Sequence, residues 1–111
     1  MTYIGLVEFR ESHPFSRRVD QVFSAEEYRA LQLHLLARPD AGQVIPGTGG
    51  LRKVRWSTGA RGRGKRGGAR VIYFRYVATA RIYLLAVYSK QERDDLSAAE
   101  KRVLRALAQA D

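Results

Sequence analysis

The spacing of apolar positions divides this chain into strands and helices. Tyr3, Ile4, Val7 and Phe9 alternate weakly with their neighbours, which predicts a first strand over Tyr3–Phe9. Pro14 interrupts the pattern, and Phe15 to Phe23 reads as a short helix. The next helix is better marked. Ser24 and Glu27 have the spacing of a capping box, in which each side chain takes the other's free backbone N–H. Tyr28, Leu31 and Leu35, with Leu36 beside them, then form a core-facing stripe at helical intervals. Arg38-Pro39 ends the helix, because proline disfavours the helical conformation in the residue before it.

Residues 41–50 read as a glycine-rich loop in which Pro46 and GTGG bracket the apolar pair Val44-Ile45. Three strands follow, Leu51–Trp56, Ala69–Tyr76 and Arg81–Tyr88, with connections that favour an antiparallel meander. The last two strands carry apolar side chains on both faces. One face therefore packs on the helices, and the other is partly covered or serves as a binding surface. A second capping box, Ser97 with Glu100, opens a final helix. Its apolar stripe is Val103, Leu104 and Leu107, with Lys101, Arg102 and Arg105 facing away. No repeat or linker divides the chain. Residues 1–111 are expected to form a single domain of the α+β class, a small antiparallel sheet with helices packed on one side.

Composition adds little until charge is mapped. The 111 residues include no cysteine, which removes disulfide frameworks and zinc–thiolate sites. The first residues, MTYIGLVEFRE, meet an acidic side chain too soon for a signal peptide. No apolar run approaches the roughly 18 residues that cross a bilayer. A cytoplasmic location and no membrane partner are expected. The net charge of +9 lies in one place: residues 51–81 hold ten of the twenty Lys and Arg and no Asp or Glu. Residues 1–50 carry five basic and six acidic side chains, and residues 82–111 five of each. A patch that local, interleaved with Trp and Tyr and set in strands and a glycine-rich loop, points to a nucleic-acid backbone.

The stretches PGTGGLRKVRW, GKRGGARVIYFRY and IYLLAVYSKQERDDLSAAEK resemble the RelE/ParE toxin superfamily, and within it the HigB-like branch. The resemblance runs from about the second helix to the end. It implies a curved antiparallel sheet with two helices on one side. It also implies a toxin of a bacterial toxin–antitoxin operon, neutralised by a cognate antitoxin. RelE-like members enter the ribosomal A site and cut mRNA, so the implied partners are the ribosome with its rRNA, and mRNA. ParE-like members instead poison DNA gyrase.

Attack on RNA by its own 2′-OH needs a base, stabilisation of an anionic phosphorane, and an acid for the 5′-oxygen. His13 and His34 lie outside the basic stretch and read as structural. RelE-like members use Lys and Arg, sometimes Tyr, and a lysine base needs the lowered pKa that a crowd of cations provides. The resemblance puts Arg52, Lys53 and Arg55 on the strand that carries basic and substrate-binding residues. With Val54 turned to the core, Lys53 and Arg55 share the open face, and a one-residue ambiguity leaves Arg52 open. The pattern G-x-R-hydrophobic-hydrophobic-Tyr places Arg70 on the transition-state phosphate, against the alternative of a surface strand-end arginine. Lys90 matches the basic turn before the final helix. The implied catalytic set is Lys53, Arg55, Arg70 and Lys90.

Tyr73 and Tyr88 are each either a base-stacking platform or a half-buried sheet tyrosine. Trp56 reads as core or rim packing. Arg61, Arg63, Lys65 and Arg66 sit among glycines and would grip rRNA or mRNA phosphates without sequence preference. The loop is no P-loop, since Ser or Thr does not follow its lysine, so no nucleotide cofactor is expected. Metal is not expected either, because Glu92, Asp94 and Asp95 stand beside basic neighbours. Two other classes stay open: a non-catalytic gyrase poison, and a plain RNA- or DNA-binding module.

Overall fold

The computed structural model describes residues 2–56, 68–90, 92–93 and 95–110. Among these, strands β1 (Thr2–Ile4), β2 (Val7–Glu11), β3 (Gln43–Val44), β4 (Arg52–Trp56), β5 (Ala69–Tyr76) and β6 (Arg81–Ser89) form one sheet in the order β1-β2-β6-β5-β4-β3. Helices α1 (His13–Val22), α2 (Ala25–Ala37) and α3 (Ala98–Ala110) complete the fold. The class is α+β, as expected. The meander β4-β5-β6 is antiparallel throughout, but β2 joins β6 in parallel, so the sheet is mixed.

Two features of the opening segment depart from the sequence reading. The single first strand is a hairpin, because Gly5 adopts φ +62°, a conformation that costs glycine nothing, and turns the chain between Ile4 and Val7. The expected short helix forms but starts before Pro14, at His13, and so includes that proline. Pro14 sits in the first turn of α1, where its missing N–H would have no partner anyway, while Ser12 caps by accepting from the Phe15 N–H at 3.1 Å. Ser12 also donates to Leu85 O at 2.7 Å, which pins the start of α1 beside β6 just beyond the reach of β2.

Both predicted capping boxes form. Ser24 and Glu27 exchange bonds of 3.1 and 2.8 Å, and Ser97 and Glu100 do the same at 3.1 and 2.8 Å. Helices α1 and α2 bury Phe15, Val19, Leu31 and Leu35 against Phe9, Val54, Val71, Tyr73, Leu84 and Val87. The opposite sheet positions, Ile72, Tyr83, Leu85 and Tyr88, are covered by Leu96, Leu104 and Ala108. Helices therefore lie on both faces, two on one and α3 on the other. The α3 stripe is rotated from expectation: Leu104 and Ala108 are buried, whereas Val103 is exposed. No described helix is long and apolar enough to cross a membrane.

Candidate active site

Strand alternation decides which basic side chains meet. Val54 is buried under α2, so Lys53 and Arg55 point to the α3 side. In the register Lys53 stands opposite Ile72, and Arg55 opposite Arg70, which in turn stands opposite Tyr88. Three of the expected residues, Lys53, Arg55 and Arg70, thus share one face with Tyr88. Arg55 is exposed, while Arg70 is only 6% exposed and lies in register between Arg55 and Tyr88. Lys90 lies at the same end of the β5–β6 pair: its backbone N–H reaches Gly68 O at 3.4 Å, and its side chain is exposed.

The face has a border from distant parts of the chain. Arg93 places its guanidinium 4.8 Å from the centre of the Tyr88 ring, a cation–π contact, and pairs with Glu100. Arg18 reaches from α1 to bond Glu92, whose carboxyl is lowered to about 2, chiefly by that bond and then by the Ser89 N–H. Pro14, Arg18, Tyr88, Glu92 and Arg93 line a groove of about 270 Å³. Lys53 Nζ lies 3.9 Å from Asp95 Oδ1. Neither Arg18 nor Arg93 is marked by local sequence. Arg18 meets Glu92 across 74 residues, for which spacing holds no signal, while Arg93 meets Tyr88 and Glu100 within its own turn.

Two expected residues stand elsewhere. Arg52 points to the α2 side, where it donates to Gly42 O at 2.7 Å and pairs with Asp40 at 3.6 Å. Tyr73, its cross-strand neighbour, is fully buried, so no ring face is open to a base and its stacking role is withdrawn. The Tyr73 hydroxyl donates to Pro39 O at 2.7 Å and accepts from Gly42 N–H at 2.9 Å. Burial pushes that hydroxyl's pKa up. A side chain at Gly42 would meet the Tyr73 ring at 2.9 Å and the Lys53 backbone at 3.0 Å, so this is a tight structural knot. Tyr88 is also buried, at 2%, with Arg93 over it, and a base would have to displace that arginine to stack there.

Trp56 packs as expected, donating to Glu27 O at 3.2 Å with its ring 5.1 Å from that of His34. His13 is exposed at the start of α1. Arg61, Arg63, Lys65 and Arg66 lie outside the described residues.

A scan of family models finds no match. Among solved structures, the E. coli toxin RelE, a double arginine-to-alanine mutant in the free state, superposes with a TM-score of 0.59. The match covers 93% of this chain and 97% of that one. The fold is RelE-like. Identity over the match is 13%, so the RelE-like likeness extends to the arrangement of strands and helices.

Proposed function

We propose that this protein is a ribosome-dependent endoribonuclease toxin of the HigB-like kind, cutting translated mRNA without a metal and held in check by a partner antitoxin. The observation that carries the reading is the convergence of Lys53, Arg55 and Arg70 from two neighbouring strands onto one face of a RelE-like fold. In the proposed step the 2′-oxygen of a nucleotide attacks its own 3′-phosphorus. The 5′-oxygen of the next nucleotide leaves, giving a 2′,3′-cyclic phosphate and a 5′-hydroxyl.

The transition state adds negative charge to the non-bridging oxygens, and a planar guanidinium offers them two parallel donors. Arg70 fits that task because its burial fixes it before the substrate arrives. Lys53 and Arg55 hold the flanking phosphates, and Lys53 and Lys90 are the groups available to move the two protons. His34 stacks against Trp56 on the α2 side and is not among these groups. The chemistry therefore depends on cations that stabilise charge, with the ribosome orienting the mRNA.

The test is primer extension across a reporter mRNA after brief induction in bacteria. Breaks within translated codons are expected, and they vanish when initiation is blocked. Arg70→Ala is expected to abolish them and the growth arrest, at equal abundance of folded protein. Arrest with intact mRNA and a DNA-damage response would instead support gyrase poisoning. Harmless overproduction would leave a nucleic-acid-binding module.

A further inference from the structure

We propose that the turn joining β6 to α3 is a carboxylate strap. It masks the Lys53 end of the cationic face in the free protein, and RNA has to displace it. This rests on the reading of that face as an RNA site.

Each described charged residue of the turn after Lys90 engages the face or its border. Glu92 bonds Arg18, Arg93 covers the Tyr88 ring, and Asp95 stands 3.9 Å from Lys53. The turn is fastened at both ends. Its start is held by Glu92, which accepts from the Ser89 N–H at 2.9 Å. Its far end is held by Leu96, buried at 7% among the residues under α3. Asp95 Oδ1 also accepts from the Leu96 N–H at 2.8 Å, so the carboxylate is aimed and not merely nearby.

A carboxylate at that position presents to Lys53 what a phosphate would. The lysine side chain is 23% exposed and the aspartate 61%, so the anion stands on the more open side of the pair. An incoming phosphodiester meets like charge and has either to move Asp95 or to bind more weakly. The pair is long and its anion well exposed, which makes it a weak contact, suited to yielding. The same turn carries Arg93, so lifting it also uncovers Tyr88. One movement would then open both the phosphate end and the aromatic end of the face.

The test compares Asp95→Asn with Glu26→Gln in the full chain, binding a short single-stranded RNA at fixed ionic strength. Asparagine keeps the oxygen that caps Leu96 and loses only the charge. Glu26 lies in the first turn of α2 and reports the general gain any lost anion gives a +9 protein. Asp95→Asn is expected to tighten binding about two- to fivefold beyond the control, the scale of one exposed ion pair. In the same proteins without RNA, acylation of Lys53 relative to Lys101, read by peptide mass spectrometry, is expected to rise in Asp95→Asn alone. Equal labelling in all three proteins overturns the strap whatever RNA does. Raised labelling with RNA affinity no better than the control overturns its masking role. If no variant, nor the parent, binds free RNA, the masking of RNA is overturned for the free protein, the labelling result decides whether the strap exists, and the ribosome-dependent reading stands or falls on primer extension.

Discussion

A single step along a strand separates site from scaffold in this protein. Lys53 and Arg52 are neighbours in sequence, yet one faces α3 with Arg55 and the other is tied to Gly42 and Asp40 beneath the opposite face. Alternation made the Lys53–Arg55 pairing legible from the residues alone, because Val54 had to be buried. It left Tyr73 undecided, since β5 is apolar on both sides and only the knot with residues 39–42 settles its direction. That knot gives a residue-scale prediction. Tyr73→Phe removes one hydroxyl that both donates and accepts, leaving Pro39 O and Gly42 N–H without it. It should cost about 1–3 kcal/mol of stability, measured by urea unfolding, while RNA affinity of the folded protein stays unchanged. A large loss of affinity with full stability would return Tyr73 to the binding site.

Elements were legible where their signals are local. Both capping boxes form as the sequence predicts, because Ser and Glu three apart need nothing beyond their own turn. The β1–β2 hairpin, the two-residue β3 and the parallel β2–β6 pairing depend on a positive-φ glycine or on partners far along the chain. The tie between α1 and the β6–α3 turn is of the same long-range kind, and it predicts a pH dependence. Arg18 and the Ser89 N–H hold the Glu92 carboxyl at about 2, below the ordinary value of 4.5. A lowered folded pKa stabilises above the unfolded value, and the contribution is lost as pH falls from about 5 toward 2. Solvent at this exposed pair keeps the effect small. Glu92→Gln should therefore unfold at slightly lower temperature than the parent at pH 7, with the gap closing as the pH approaches 2. A constant gap across that range would mean that the carboxyl's charge contributes nothing.

For the whole molecule, the charge map gives the most general expectation. The excess of cations lies in residues 51–81, and the fold sets the two whole strands of that stretch, β4 and β5, side by side. It turns only alternate side chains to the α3 face, so total charge overstates the number of cations one RNA strand can meet there. Salt dependence counts them. For single-stranded nucleic acid the slope of log affinity against log salt is about −0.7 for each phosphate neutralised. Removing Lys53 and Arg55 together should make the slope shallower by about 1.4, if both hold phosphates. Arg52→Ala, one residue away but on the opposite face, should leave it nearly unchanged. Titration of a short RNA at several salt concentrations measures all three proteins under one protocol. Equal slopes for all three would mean that RNA is held elsewhere and that the shared face of Lys53, Arg55 and Arg70 is not where the backbone lies. A shallower slope for the double variant alone would place the phosphates on that face without any appeal to family likeness.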